Sequence, residues 1–90
     1  THTHIQTADE QILPQGTGYL TDLGGSGPLN SVIGVCHDQV MAKLLSHPKA
    51  SQFTVQTSGP MVLSGIWFEV DAKTGKTVAL ERIRVVDNDI

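Results

Sequence analysis

The sequence predicts an α+β fold that is mostly antiparallel sheet and contains one helix. A single apolar stripe of helical period falls in residues 37–46, and strand-like patterns fill residues 61–70 and 77–86. The connection between the two strand patterns is short, which suits antiparallel strands because parallel strands need a much longer crossover. A chain of 90 residues can form one domain at most.

Before the helix, the patterns predict short elements separated by loops. Residues 2–7 are interpreted as a short strand, and strand-forming residues fill 18–23. Proline and glycine mark residues 11–18 as a loop, and glycine marks residues 24–28 as a flexible connection. Residues 31–35 fit either a short strand or an apolar lead-in to the helix, because so short a segment reveals no period.

The predicted helix is amphipathic. Its large apolar side chains fall at i, i+1, i+4 and i+5 and form one stripe, made of Val40, Met41, Leu44 and Leu45. Asp38 lies in the first turn, where a negative charge is favourable to the helix dipole. Pro48 is expected to end the helix, because proline has no amide hydrogen and its ring clashes with the preceding turn.

After the helix, the pattern predicts a half-buried strand at residues 52–56 and then a β-hairpin. The turn of the hairpin is assigned to residues 71–76, where Gly75 is free to adopt a positive φ. The return strand is assigned to residues 77–86, with its apolar residues at alternating positions. These elements complete the antiparallel part of the predicted fold.

The first strand of the hairpin, residues 61–70, is apolar on both faces. Such a strand is expected to be covered on two sides. One helix can cover only one face, so the face that carries Leu63 and Trp67 is predicted to meet another protein surface. That surface would belong either to a further portion of the same protein or to a second copy of the chain.

Two histidines at the start of the chain are the strongest chemical signal. If residues 2–7 are extended, His2 and His4 point to the same side, and neutral imidazole is the commonest protein ligand for metals. Two ligands leave at least two coordination positions open, and neither His37 nor His47 stands at a spacing that would fill them. A His-Thr-His segment at a chain end also fits a disordered terminus or the remains of a tag.

Composition excludes several classes of function. The net charge of −3 and the scattered lysines and arginines argue against binding to DNA. No apolar run approaches the length of a transmembrane helix, and the single cysteine is compatible with a reducing cytoplasm. Both glycine clusters, at residues 16–18 and 24–27, lack the context of a nucleotide-binding motif and favour turns, although backbone amides in 24–27 could approach an anion.

Several short motifs follow one another in a specific order. They are His2-Thr3-His4-Ile5-Gln6-Thr7-Ala8-Asp9-Glu10, Ile12-Leu13-Pro14-x-Gly16-Thr17, Tyr19-x-Thr21-Asp22-x-Gly24 and Gly27-Pro28-x-x-Ser31-Val32-Ile33-Gly34. In this order they resemble the bacterial YmdB-like metallophosphoesterases of the calcineurin-like superfamily. The resemblance continues to Leu80-Glu81-Arg82-Ile83 and covers nearly the whole chain. It corresponds to only the C-terminal portion of such a protein.

The resemblance implies a fold and an activity. Residues 1–90 would be a single incomplete domain, the C-terminal part of a calcineurin-like α/β sandwich. Members of this family hydrolyse phosphodiesters, including 2′,3′-cyclic nucleotides, at a centre of two divalent metal ions, often iron or manganese. The implied substrate is therefore a small phosphodiester or cyclic nucleotide, and the implied location is the bacterial cytoplasm.

The resemblance also implies roles for individual residues. His2 and His4 would each bind a different metal of the pair, and Asp9 would orient a ligand or cap a turn. The implied substrate loop consists of Gly24, Gly25, Ser26 and Gly27, with Gly25 standing where the family usually has Met. The other metal ligands and the proton donor of the family lie in the portion that this sequence does not contain. No catalytic residue is therefore assigned here, and the isolated chain is expected to be inactive.

An alternative from another functional class is a non-catalytic module. A small α+β domain could use its sheet edge or Trp67 for self-association or for binding a partner. The two interpretations differ in what they predict for the surface. Part of an enzyme should carry an unusually apolar surface where the rest of the protein packs, whereas a self-sufficient module should not.

Overall fold

A computed structural model describes residues 1–47 and 52–88 and confirms the α+β prediction. The elements, in chain order, are β1 (Gln11–Ile12), β2 (Gly18–Tyr19), β3 (Gly27–Pro28), α1 (His37–Leu44), β4 (Met61–Val70) and β5 (Thr77–Asp87). The strands form a two-stranded sheet, β1-β2, and a three-stranded sheet with the order β3-β4-β5. The described part of the chain thus combines antiparallel pairing with one helix.

The β4–β5 hairpin is the most regular part of the molecule and is confirmed as predicted. Its turn is closed by hydrogen bonds between the Asp71 N–H and the Lys76 carbonyl and between the Gly75 N–H and the Asp71 carbonyl, each 2.8 Å long. The Asp71 carboxylate also accepts a hydrogen bond from the Lys73 N–H, at 2.8 Å. Gly75 has a φ of 73°, the left-handed conformation that glycine adopts without steric cost.

The predicted helix is also confirmed, with bounds His37–Leu44. Cys36 is the N-cap residue, but its side chain makes no capping hydrogen bond. Asp38 lies in the first turn and Lys43 in the last, so both charges are favourable to the helix dipole. The predicted stop at Pro48 lies outside the described residues.

The short strands predicted before β4 are largely wrong. Residues 2–7 form no strand, and only Gly18–Tyr19 of the segment 18–23 is a strand. Residues 31–35 form a tight turn closed by a bridge between Val32 and Val35 directly before the helix, which excludes the strand and leaves the alternative of a lead-in. Residues 24–28, predicted as a flexible connection, contribute β3. Short segments like these take their conformation from contacts elsewhere in the chain, which local strand propensity does not report.

The segment 52–56 likewise forms no strand, and only Val55 pairs, in an isolated bridge with Val35. The Thr54 N–H donates instead to the side-chain carbonyl of Gln39, at 2.6 Å. The Thr54 carbonyl accepts from the Cys36 N–H at 3.1 Å, and the Gln56 N–H donates to the Gly34 carbonyl at 2.8 Å. Backbone groups of this segment are therefore satisfied by separate hydrogen bonds rather than by a continuous sheet ladder.

The chain divides into two compact units. The first consists of Thr1–Gly25 and Leu63–Val85, and the second of Ser26–Val62 and Val86–Ile90. The first unit contains the predicted metal-binding histidines, β1, β2 and most of the hairpin. The second unit contains the helix and the pairing of β3 with the start of β4, where Gly27 lies opposite Val62.

Among the described residues no apolar side chain is buried, and many of the large ones are exposed. On β4, Leu63 is 58% exposed, Trp67 is 50% exposed and Phe68 is 56% exposed. The prediction that residues 61–70 are covered on both faces is therefore not met by the described part of this chain. No helix among residues 1–47 and 52–88 has the length and apolar character needed to cross a membrane.

Candidate functional site

The first three residues of the chain are anchored by a buried carboxylate. Asp22 is only 2% exposed, and it is the one polar or charged residue that is buried in the described structure. Its carboxylate accepts hydrogen bonds from the hydroxyl groups of Thr1 and Thr3 and, at 2.6 Å, from the Thr3 N–H. Residues on both sides of His2 are thus bonded to one side chain.

Asp22 also links Thr7 of the N-terminal segment to the glycine turn that begins at Gly24. The Asp22 N–H donates to the Thr7 hydroxyl and the Asp22 carbonyl accepts from the Thr7 N–H, each at 3.0 Å. The Asp22 carboxylate accepts a further hydrogen bond from the Gly24 N–H, at 2.9 Å. A single residue therefore joins two segments that are distant in sequence.

These hydrogen bonds keep Asp22 ionised. Donation from the Thr3 hydroxyl is the largest cause, and with the backbone amides of Gly24 and Thr3 it lowers the pKa of Asp22 to about 2, although burial opposes the shift. At neutral pH the side chain is a carboxylate, which can only accept hydrogen bonds. It is thus suited to holding several donors at once.

His2 and His4, the predicted metal ligands, are both exposed. His4 has a φ of 66°, in the left-handed region that non-glycine residues rarely adopt. Its carbonyl accepts a hydrogen bond from the Gly25 N–H at 2.9 Å, and the Thr3 hydroxyl accepts one from the Ile5 N–H at 3.2 Å. The backbone bend at His4 is therefore stabilised from both sides.

This bend corrects the geometric argument made from the sequence. Alternation of side chains applies to an extended strand, and residues 3–5 form a bend instead. The inference that His2 and His4 share a side because they are two residues apart is therefore wrong. Their relation is set by the bend, by the hydrogen bonds that Thr1 and Thr3 donate to Asp22, and by the one that Gly25 donates to the His4 carbonyl.

The donor set fits part of a metal site. Two exposed imidazoles on an anchored backbone are suitable ligands for divalent iron or manganese. The carboxylate oxygens of Asp22 are already engaged by Thr1, Thr3 and Gly24, so this side chain is not a free ligand. Within residues 1–47 and 52–88, no group of three or more His, Cys, Asp or Glu side chains is placed to hold a metal ion.

Asp9, the predicted orienting residue, is bonded to threonines. Its carboxylate accepts from the Thr7 hydroxyl at 2.7 Å, from the Thr21 N–H at 3.1 Å and from the Thr21 hydroxyl. The Thr21 hydroxyl is the main reason that the pKa of Asp9 falls to about 2. These contacts support a role in joining the segments that contain Thr7 and Thr21, and the ligand-orienting role stays a prediction.

The predicted substrate loop is divided between the two compact units. Gly24 and Gly25 belong to the first unit, whereas Ser26 and Gly27 belong to the second, where Gly27 is part of β3. Gly24 has a φ of 85°, and a Cβ atom there would lie 2.8 Å from the backbone nitrogen of Gln6. Only glycine permits this close approach, which brings the turn against the N-terminal segment.

Sequence reasoning did not identify Asp22 as a residue of the site. The local signal was the Asp22-Leu23-Gly24 sequence, since aspartate often bonds to the backbone amide two residues later. The decisive contacts, to Thr1 and Thr3, span distances in sequence that no local pattern reports. The sequence alone therefore assigns no role to the threonines that alternate with the histidines.

The arrangement can be compared with known proteins. The sequence profile described as YmdB-like protein matches residues 1–83. The chain belongs to the YmdB-like protein family. This match confirms the family predicted from the ordered motifs, and it includes the N-terminal segment, the Asp22 anchor and nearly all of the β4–β5 hairpin.

The chain is also similar to individual proteins in sequence and in fold. A 2′,3′-cyclic-nucleotide 2′-phosphodiesterase of Bacillus subtilis is 40% identical over 98% of this chain, which corresponds to 33% of the relative. The crystal structure of a novel phosphatase from Mycoplasma pneumoniae superimposes with a TM-score of 0.83 at 38% identity, over 99% of this chain and 31% of that one. A hypothetical protein from Thermus thermophilus gives a TM-score of 0.77 at 27% identity, over 97% and 33%.

These alignments share one feature. This chain spans about a third of the length of the relatives that it matches. In sequence and in fold, this chain is therefore similar to one part of each of these longer proteins.

Proposed function

We propose that this chain contributes to metal-dependent hydrolysis of phosphodiesters, with 2′,3′-cyclic nucleotides as the substrate class. The observation that carries the proposal is the 40% identity to a Bacillus subtilis protein named as a 2′,3′-cyclic-nucleotide 2′-phosphodiesterase. In this proposal His2 and His4 are metal ligands, and the Gly24–Gly25 part of the glycine loop lies beside them.

The structure supports this assignment through the anchoring of the histidine segment. Asp22 bonds to residues on both sides of His2, and Gly25 bonds to the carbonyl of His4. Each imidazole thus projects from a backbone with few alternative positions, which favours metal binding because less ordering is needed. A pair of divalent iron or manganese ions would supply Lewis acidity and a bound water of lowered pKa.

The remaining ligands and the proton donor would come from protein outside the present sequence. The exposed apolar side chains of β4 support this part of the proposal, because soluble proteins rarely leave large contiguous apolar surfaces uncovered. We infer that these surfaces pack against a further portion of the same protein or against a second copy of the chain. The same observation suits the alternative of a non-catalytic self-association module, so activity must decide between the two.

The deciding experiment uses the complete polypeptide that carries this sequence. It would be stripped of metal, reconstituted with Mn²⁺ or Fe²⁺ and assayed for hydrolysis of 2′,3′-cyclic AMP by chromatography of the products. His2→Ala and His4→Ala should each lower kcat/KM by roughly 100-fold or more, because loss of a ligand removes transition-state stabilisation of several kcal/mol.

His37→Ala is the matched control, because His37 is also exposed but lies on α1 and pairs with Asp38. It should change kcat/KM by less than about twofold, as expected for a surface residue away from the site. Equal activity of all four proteins would refute the ligand assignment. Absence of metal-dependent hydrolysis in the unsubstituted protein would favour the non-catalytic module.

A further inference from the structure

We propose that Asp22 is a positioning residue, whose carboxylate sets the geometry of the His2–His4 segment for metal binding. The inference rests on the proposed function, because it assumes that these imidazoles are ligands. It adds a residue that contacts neither the metal nor the substrate and acts through the backbone on either side of His2.

Several hydrogen bonds converge on the buried side chain of Asp22. The Asp22 carboxylate accepts from the Thr1 hydroxyl, from the Thr3 hydroxyl and N–H, and from the Gly24 N–H. The side chain is 2% exposed, so water cannot readily replace these donors. A buried carboxylate is costly unless it is fully bonded, and here its bonds go to the residues that flank a predicted ligand.

The backbone of His4 has a positive φ. A positive φ at a residue other than glycine persists only where surrounding contacts impose it, and such residues cluster at functional sites. The Gly25 N–H bonds to the His4 carbonyl, and Gly25 follows the residue whose own N–H is held by Asp22. Asp22 therefore supports the bend at His4 through the glycine turn as well as through Thr3.

Asp22 and Glu10 differ in whether their carboxylates bond to the residues beside His2. Groups that orient a metal ligand typically change metal affinity or activity by roughly 10–100-fold when they are removed. Asp22 is placed for such an effect, because its carboxylate bonds to Thr1 and Thr3, which flank His2. Glu10 is not, because its carboxylate bonds instead to the Arg82 guanidinium at 2.9 Å.

The test measures Mn²⁺ binding, by electron paramagnetic resonance of the free ion, in the complete polypeptide. Asp22→Asn replaces one acceptor oxygen with an NH₂ group and should weaken Mn²⁺ binding roughly 10-fold or more. Glu10→Gln makes the same change in charge elsewhere and should leave the affinity within about twofold. An unchanged affinity in folded Asp22→Asn protein would overturn the inference.

A second pair of variants covers the case in which Asp22→Asn does not fold. Thr3→Val removes the hydroxyl donor but keeps the shape and the N–H, whereas Thr3→Ser keeps the hydroxyl. Thr3→Val should weaken Mn²⁺ binding and Thr3→Ser should restore it, a pattern that lost packing alone does not produce. Equal binding by the two variants would contradict the proposal.

His2→Ala and His4→Ala separate this inference from the proposed function. If both histidine variants weaken Mn²⁺ binding while Asp22→Asn and Thr3→Val do not, the ligand assignment stands and the positioning role is refuted. If neither histidine variant changes the affinity, the ligand assignment is wrong, and the positioning role is refuted with it.

Discussion

The N-terminal segment is held in place by polar groups, whereas the β4–β5 hairpin presents apolar side chains to solvent. Residues 1–7 have no regular structure, yet Asp22 and Gly25 bond to backbone or hydroxyl groups of Thr1, Thr3, His4 and Thr7. The hairpin has long, regular strands, but Leu63 and Trp67 on β4 are at least half exposed. The two regions therefore differ in where their stabilising contacts come from.

The hydrogen bonds around Asp22 are made within the described chain, whereas the apolar faces of the hairpin are not covered by it. The Asp22 carboxylate finds its hydrogen-bond donors within the chain, at Thr1, Thr3 and Gly24. The apolar faces of the hairpin gain free energy only when another surface covers them. The described residues thus hold the backbone around His2 and His4 from within the chain, and they leave apolar side chains of the hairpin exposed.

The largest expected effect concerns the exposed face of β4. If the face of β4 that carries Leu63 and Trp67 normally packs against another protein surface, the 90-residue chain alone should self-associate. Light scattering should then show a species heavier than 9.6 kDa. Trp67→Glu should weaken this association on the order of 1000-fold, as for loss of a central aromatic contact. Ala72→Glu adds the same charge in the exposed turn and should have little effect.

The absence of self-association would show that the hairpin does not differ from the N-terminal segment in needing a further surface. A chain that stays monomeric, melts cooperatively and does not respond to Trp67→Glu would show that the hairpin needs no cover. It would then favour a self-sufficient module.

The next prediction concerns Gln6, where the two regions meet. The Gln6 side-chain amide donates to the carbonyls of Gly65 on β4 and Ile83 on β5, at 3.3 and 2.8 Å. Gln6→Glu would replace these donors with a carboxylate that faces two carbonyl oxygens. Urea denaturation should show a loss of about 3 kcal/mol in the free energy of unfolding.

Gln11→Glu provides the control for this change. Gln11 is exposed, and its amide bonds only to the nearby Asp9 carbonyl, at 3.2 Å. Its substitution should alter the free energy of unfolding by no more than about 0.5 kcal/mol. Similar losses for both variants would show that Gln6 does not connect the segment to the hairpin.

A smaller effect is expected at the glycine turn beside His4. Gly24→Ala would force a residue with a side chain into the left-handed region and place its Cβ against Gln6, so a loss of roughly 1–2 kcal/mol is expected. At Gly25 an added Cβ would lie 3.6 Å from the His4 carbonyl, an ordinary contact. Thermal melting should therefore separate the two substitutions, and equal melting temperatures would contradict the assigned close packing.

Local patterns predicted the hairpin and the helix, and they failed at the histidine segment. The bounds of β4 and α1 follow from periodic apolar residues and from turn signals that act over a few positions. The conformation of His4 depends instead on Asp22 and Gly25, which lie far from it in sequence. His2 and His4 could therefore be proposed as metal ligands from residue type and family resemblance, whereas the hydrogen bonds that Thr1 and Thr3 donate to Asp22 became visible only in the structure.

The last prediction follows the ionisation of Asp22. Its pKa is lowered to about 2, so the folded state favours the carboxylate more than the unfolded state does. The stabilisation is complete above the ordinary pKa of 3.8 and is lost as the pH falls through about 2. The amide protons of Thr3 and Gly24, which donate to this carboxylate, should shift in NMR spectra with a midpoint near pH 2. The Gly75 amide, which bonds to a backbone carbonyl in the hairpin turn, should not follow that transition. A midpoint near 3.8 for Thr3 and Gly24 would mean that Asp22 does not hold the N-terminal segment in solution.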